Sequence, residues 1–314
     1  MASAAEKLAS NLNMSAFSQA TELKKRLWFT LGALIIFRLG TFLPISGIDP
    51  LSLQVFFTQQ SGGILGVFDT FSGGALSRMG IFALGVMPYI SASIIMTLLQ
   101  TSIPALKALK EQGTQGIRKR IQITRYLTVI IAAIQGYGVA VGLEALQNSS
   151  GPVVIEPGIF FRFTTVLTLT SGTVFLMWLG EQITSRGVGN GISLIITAGI
   201  VANLPRAVVS TLELGRTGAL SSTFILLLII LVFSLIIFIV FVEKGQRRLI
   251  VQYPKRQVGN KMFGGQSSHL PLKINTAGVI PVIFASSVLL LPTTLTGFGA
   301  GSESDTFAYI SSFL

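Results

Sequence analysis

Residues able to do covalent chemistry are scarce in this chain. It has no cysteine and a single histidine, His269. Thiol nucleophiles, disulfides, zinc–thiolate sites and iron–sulfur clusters are therefore excluded. His269 stands before Leu270 and Pro271 in a basic stretch, with no second histidine to share a metal, and reads as structural. No aspartate or lysine falls inside an apolar run, and Glu144 and Glu181 lie near the ends of theirs. Serine–histidine, serine–lysine, aspartyl and metalloprotease chemistry within a membrane each lack a part. No G-x-x-x-x-G-K-[ST] loop is present to drive a motor. Coupled transport normally uses ionisable groups at mid-depth, and no carboxylate pair is visible there. The chain reads as a non-enzyme with a passive pathway and no cofactor or metal.

What remains is greasy. Half of the 314 residues are hydrophobic and 11% are charged, against roughly 25% charged in a soluble domain. Mean hydropathy is +0.71. Apolar runs of about 18 residues or more read as membrane helices. Seven are legible, near 27–43, 77–99, 121–146, 160–182, 188–205, 219–242 and 274–292. An eighth begins at Thr306 and is too short to cross, so the reading expects a chain interrupted in mid-span. The first 26 residues are polar and lead into a retained first helix rather than a cleaved leader. The fold class is all-α, a polytopic membrane helical bundle.

Charge sets the expected orientation. With the N-terminus inside, eighteen of the 23 lysines and arginines fall on the inner side and three, Arg162, Arg206 and Arg216, on the outer side. That is a strong positive-inside bias, and it accounts for the net charge of +11 without nucleic acid. Arg38 and Arg78 lie within or beside helices.

The stretch "FDTFSGGALSRMGIFALGVMPYISAS", 68–93, breaks the pattern with Gly73, Gly74, Arg78 and Pro88. Each glycine weakens a helix by about 1 kcal/mol relative to alanine. The reading is a short half-helix, 64–75, ending at the Gly-Gly turn, then a full helix from Ser77. Irregular backbone at membrane depth survives only when buried in protein or lining a wet cavity, and a charge there faces a cavity. The alternative is a re-entrant packing loop with no moving part.

Three stretches, "FSGGALSRMGIFALGVMPYISASI", "FLMWLGEQITSRGVGNGISLII" and "HLPLKINTAGVIPVIFASS", resemble the SecY/Sec61-alpha family of protein-conducting channels. "FRLGTFLPISGID" and "VEKGQRRLIVQY" extend the resemblance along the chain. The family has ten helices in two inverted halves. The resemblance implies a cytoplasmic tail over 1–26, an N-terminal half over 27–205 with five helices, and an incomplete C-terminal half over 206–314. It implies a pore subunit for unfolded secretory polypeptides and for membrane segments leaving sideways into lipid, in the bacterial inner membrane. It makes 64–75 a plug, with Phe68 and Phe71 on it and Gly73, Gly74 and Arg78 at its hinge.

The resemblance also assigns a pore ring to Val86, Ile90, Ile192, Ile196, Ile280 and Ile283. Their i,i+4 or i,i+3 spacings put each pair on one helix face, and a narrow apolar ring can dewet and block ions. Pro88 and Pro281 are expected to kink their helices. Asn275 and Thr276 are placed at a lateral gate. The basic loop 243–273 is read as a hairpin, with "RRLIVQY" as strand, "PKRQ" as turn and "NKMFGG" as return. Arg247, Arg248, Lys255, Arg256 and Lys261 are expected to dock the SecA motor and the ribosome. SecE and SecG are the implied partner subunits.

Overall fold

The computed structural model describes residues 21–59, 69–70, 72–145, 147–148, 151–251, 256–258, 261–263 and 268–275. Phe68, Phe71, Lys255, Thr276, Ile280, Pro281 and Ile283, with most of the expected plug and the spans read at 274–292 and from Thr306, lie outside the described residues. The chain divides into two compact units between Pro205 and Arg206, and each is taken by itself.

In the first unit α1 (Thr21–Gly40) is followed by α2 (Pro50–Gln59), α3 (Met87–Ser102), α4 (Pro104–Glu111), α5 (Gly113–Ala145), a two-residue hairpin β1 (Gln147–Asn148) and β2 (Gly151–Pro152), α6 (Ile159–Arg186), and α7 (Gly191–Arg216), which runs across the division. Helix α2 starts where Asp49 accepts the Ser52 hydroxyl and backbone N–H at 2.6 and 3.1 Å. Those bonds hold the Asp49 carboxyl below the usual carboxylate range. A depressed value makes this capping contribution complete above the unfolded carboxylate pKa, and it is lost as pH falls through the lowered one.

Two ion pairs set the frame. Twelve residues into α5, Arg125 donates from Nε and Nη2 to both carboxylate oxygens of Glu181, near the end of α6, at 2.9 and 2.6 Å. At the other end, Glu144 of α5 accepts from Arg162 Nε at 2.8 Å and from the Gly158 N–H at 3.0 Å. The helices are therefore antiparallel. Arg125 to Glu144 and Arg162 to Glu181 are each nineteen residues. At ~1.5 Å per residue both spans are about 28 Å, close to the ~30 Å hydrocarbon core. The pairs sit where charge can reach the interfaces, and the apolar hairpin fills the depth between them.

Against this hairpin pack α3, on α5, and α1, on α6. The Thr30 hydroxyl of α1 accepts the Val188 N–H at 3.2 Å, which ties α1 to the α6–α7 turn. Segment 41–49 leads from α1 to α2 and is stitched to the chain on either side. Ile45 N–H donates to Met79 O and Ile81 N–H to Leu43 O, each at 2.9 Å, and Asp49 N–H donates to Val153 O at 2.9 Å. One buried cluster joins Ile45, Leu53, Met79, Leu143, Val153, Phe161 and Leu169; a second joins Phe37, Phe82, Val86, Leu176, Leu179, Ile183 and Ile195.

Several boundaries correct the sequence reading. The span read at 77–99 is helical only over Met87–Ser102, because residues 73–86 form successive turns. Gly73, Gly74, Met79 and Gly85 take positive φ there, which no helix accommodates. Pro88 consequently occupies the first turn of α3, where no backbone bond is lost, and it does not kink the helix interior. The expected span 188–205 continues as α7 to Arg216 with Pro205 inside it, so Arg206 and Arg216 are helical rather than in a loop. The first span is Thr21–Gly40, and α5 and α6 extend beyond 121–146 and 160–182 to Gly113 and Arg186. Polar first and last turns favour helix without contributing hydropathy, which is why a hydropathy reading stops short.

In the second unit the remainder of α7 leads to α8 (Ser222–Lys244), which the Ser221 side chain caps by accepting the Phe224 N–H at 3.3 Å. No residue of α8 is buried, and its side chains form an apolar cylinder. The loop that follows is a hairpin on a hairpin. Strand β3 (Gln246–Val251) pairs antiparallel with β6 (Ser268–Lys273), and β4 (Arg256–Val258) pairs with β5 (Lys261–Phe263). The expected strand is present, but its partner is "SHLPLK" rather than "NKMFGG". Arg256 and Gln257, read as turn, are in β4. Among the described residues four helices, α5 to α8, are long and apolar enough to cross a membrane.

Glu144 is 10% exposed and Glu181 is 27% exposed. Replacing Glu144 by Gln removes the carboxylate from the less exposed glutamate of the two pairs and leaves Arg162, itself 39% exposed, without its charged partner, so it is expected to destabilise more than Glu181→Gln. Glu181→Gln is expected to cost under ~1 kcal/mol, as for an exposed pair. Thermal unfolding of the two variants in detergent, compared with the parent, checks the order.

Candidate functional site

The Gly-Gly break is a compact knot at membrane depth. Gly73 and Gly74 have φ of 71 and 80°, a left-handed backbone open to glycine at little cost. Asp69 is the hub of the knot. Its carbonyl accepts the Gly74 N–H at 2.8 Å and the Ser72 hydroxyl at 3.0 Å, and its carboxylate accepts the Ser77 N–H at 2.8 Å. The Ser72 hydroxyl in turn accepts the Leu76 N–H at 3.2 Å. These bonds satisfy backbone groups that no helix serves, as a low-dielectric site demands.

Depth follows from neighbours. Phe37 stacks near Phe82 at 6.2 Å between centroids, and Phe82 on Phe175 at 5.8 Å. Phe175 lies between Arg162 and Glu181 along α6, so this row sits between the two ion-pair levels. Gly73 meets α7 there: a Cβ on it would come within 3.1 Å of the Gly199 Cα. Beside it, the Arg38 and Arg78 guanidiniums lie 4.8 and 4.4 Å from the Phe42 ring centroid, within cation–π range. Arg38 also donates to Gly73 O at 2.6 Å. The sequence reading flagged Gly73, Gly74 and Arg78. It noted Arg38 only as a charge in a helix and missed Phe42 and Gly199. The available signal was an arginine inside "FRLGTF", an apolar run with no acidic neighbour.

The expected ring residues are divided. Val86 caps α3 and is 5% exposed, packed in the cluster with Leu176, Leu179, Ile183 and Ile195. Ile192 and Ile196 border the same cluster, so Val86 and these two are brought together. Ile90, one turn further along α3, is half-buried. The fully buried face of α7 carries Gly191, Ile195 and Gly199, one position off the expected pair. The tight α6–α7 turn positions this face. Thr184 Oγ1 accepts the Gly191 N–H at 2.8 Å, and Asn190 Oδ1 accepts the Ile192 N–H at 3.1 Å. Only glycine fits at 191, since a Cβ would fall on the Gly180 carbonyl oxygen.

In the second unit, Arg247 and Arg248 stand exposed on β3, opposite Leu272 and Pro271. Arg256 and Lys261 hold register positions in β4 and β5. His269 faces Ile250 across the β3–β6 ladder. Asn275 donates to Glu243 Oε2 at 3.2 Å, linking the chain after β6 to the end of α8.

Long apolar helices, an ion-pair-framed hairpin and a hydrogen-bonded break at membrane depth define a multi-pass membrane protein with a channel-type helical fold. The SecY family model matches residues 80–314. The chain is 54% identical over 295 residues to the protein translocase subunit SecY of Rickettsia typhi, covering 94% of this chain and 68% of that protein. It is also 54% identical over 294 residues to the protein translocase subunit SecY of Escherichia coli K12, covering 93% and 66%. This chain belongs to the SecY family, which comprises channel subunits rather than enzymes.

Solved structures share the fold. One described as "The structure of a protein conducting channel" aligns with a TM-score of 0.61 at 17% identity, over 88% of this chain and 58% of that one. Sec61 in a canine ribosome–channel complex aligns with 0.58, also at 17% identity. The chain thus spans about two thirds of the curated relatives it matches and 58% of those solved chains.

Gly191→Ala is expected to open the α6–α7 turn and cost about 1–3 kcal/mol, as overpacking does. Limited proteolysis at the turn and the melting temperature in detergent check it.

Proposed function

We propose that the full-length protein is the pore subunit of a translocase in the bacterial inner membrane, with its N-terminus in the cytoplasm. It passes unfolded secretory polypeptides and releases membrane segments sideways into lipid. The observation that carries this reading is family membership together with the gathering of Val86, Ile192 and Ile196 into one apolar cluster beside a broken segment at membrane depth. Val86, Ile90, Ile192, Ile196, Ile280 and Ile283 form the constriction. Aliphatic side chains offer a passing chain no hydrogen bond or charge to stick to, and a dry waist holds back ions. The segment 64–75, with Phe68 and Phe71, is the plug, and Gly73, Gly74 and Arg78 form its joint. Residues 27–205 make one half of the channel and 206–314 begin the other.

Asn275 and Thr276 belong to the lateral gate, where an arriving signal helix replaces polar contacts by apolar ones. The double hairpin over 243–273 is the docking arm for the SecA motor and the ribosome, through Arg247, Arg248, Lys255, Arg256 and Lys261. Its exposed basic strand suits an acidic or RNA-rich partner, and its length exceeds what retention of positive charge requires. SecE and SecG complete the channel.

The full-length protein, reconstituted with SecE and SecG in vesicles, is expected to protect a signal-bearing polypeptide from external protease when SecA and ATP are added. Gradient-driven uptake of a small solute without polypeptide transport overturns the reading. R247E with R248E is expected to weaken SecA and ribosome binding at least tenfold at low salt, with the difference shrinking as salt rises. Binding measured by flotation or fluorescence checks this.

A further inference from the structure

Two arginines at membrane depth share one phenyl ring. The Arg38 and Arg78 guanidiniums lie 4.8 and 4.4 Å from the Phe42 centroid, so the two charges stand no farther apart than those distances together. Both lie along the Gly-Gly turn. A Cβ on Gly73 would meet Arg38 Nη1 at 3.5 Å, and one on Gly74 would meet Arg78 Nη2 at 3.7 Å. The two glycines thus put no side chain into the space beside the guanidiniums. The Phe42 ring is 52% exposed, and Arg78 is exposed. A charge open to lipid at this depth is costly, so the open side is wet.

Neither charge has a carboxylate partner among the described residues, whose ion pairs are Arg125–Glu181 and Arg162–Glu144. Asp69, the acid of the knot, gives its carboxylate to the Ser77 N–H at 2.8 Å and pairs with neither arginine. Even with Asp69 counted, two arginines against one aspartate leave a net positive charge. Loss of a proton offers no relief, since arginine stays charged, and like charges at low dielectric repel. Donors are also in surplus. A guanidinium carries several N–H groups. Arg38 donates from Nη1 to the Gly73 carbonyl at 2.6 Å, and the Arg78 side chain makes no hydrogen bond among the described residues.

We propose that Arg38 and Arg78 together bind a small monovalent anion of the halide class beside Gly73 and Gly74, as the counter-ion of this arginine pair. One negative charge balances the local excess, and charge-assisted hydrogen bonds from the two guanidiniums hold it. A phosphate-sized dianion overbalances the site and costs more to dehydrate at this depth. A lipid phosphate stays at the headgroup level, outside both ion pairs of the α5–α6 hairpin, and does not reach. The site is built by residues of this chain alone and does not depend on what crosses the membrane.

The test uses the full-length protein with its partner subunits in detergent, and chloride as the probe. At equal ionic strength the parent is expected to melt about 3 °C higher in chloride than in gluconate, as for a ligand at roughly ten times its Kd. Arg38→Gln combined with Arg78→Gln is expected to melt at one temperature in both salts. Arg38→Lys combined with Arg78→Lys keeps the charge and is expected to retain part of the gap. A gap that persists undiminished in the double glutamine variant comes from elsewhere and overturns the site, as does a parent with no gap. Should the double variant fail to fold, the parent decides by diffraction. Crystals grown in bromide are expected to show an anomalous peak in contact with both guanidiniums, and the absence of that peak overturns the site. A peak there in a parent whose melting ignores chloride is an adventitious ion only, and that outcome overturns it too.

Discussion

Every backbone N–H and C=O at membrane depth has to find a partner inside the protein, because lipid offers none. The first unit depends on that constraint. Helices meet it by themselves, and residues 73–86 cannot. Their polar groups are served instead by an Asp69-centred knot, by the carbonyls of Leu43 and Ala75, by the N–H of Ile45 and by the guanidinium of Arg38. The non-helical stretch is therefore tied to α1 and to segment 41–49. Without those ties it would be both unsatisfied and loose. Met79, the non-glycine residue with positive φ among those described, sits inside this network, buried and bonded to Ile45. A left-handed methionine costs of order 1–2 kcal/mol, and here the surrounding contacts over-determine it.

The α5–α6 hairpin supplies the rigid wall on which that break is hung. Its charged ends exchange sign, arginine on α5 facing glutamate on α6 at one level and the reverse at the other. This antisymmetry favours one register. Sliding the helices by a turn would separate both pairs at once and leave charges at depths where they are costly. With the register held, Leu169, Leu176 and Ile183 on α6 present one buried row, and the two apolar clusters form at successive heights along it. Val86 and Ile195 reach the upper part of that row from different directions, one from an irregular turn and one from a helix.

Much of this was legible beforehand. Long apolar runs require helices because the alternative is unpaired backbone in lipid, so α5, α6 and α8 could be read to within a turn or so of their apolar parts. The Gly-Gly dipeptide announced a break by its own backbone freedom. Motif resemblance carried the family. Helix starts in polar sequence were read late, since hydropathy does not register capping or the first turn. The length of turn between Gly74 and Met87 was misread as helix for a related reason. "SRMGIFALGV" reads as helix by hydropathy, and it is tertiary contact with segment 41–49 and the Asp69-centred knot that holds it otherwise. The hairpin partner of β3 was misplaced at "NKMFGG" because a ladder is closed by register, which composition does not carry; the partner is "SHLPLK".

The sequence by itself determined that this is a multi-pass membrane protein, that it lacks the groups for catalysis named above, and that one segment is broken by glycine. Those properties follow from local quantities: transfer free energy, residue chemistry and backbone freedom. Tertiary structure alone decided that Arg38 reaches the Gly73 carbonyl from thirty-five positions away, that Arg78 shares Phe42 with it, and that Gly199 of α7 lies against the turn. The physical reason is that a hydrogen bond is a matter of ångströms between atoms whose separation along the chain carries no information about their separation in space.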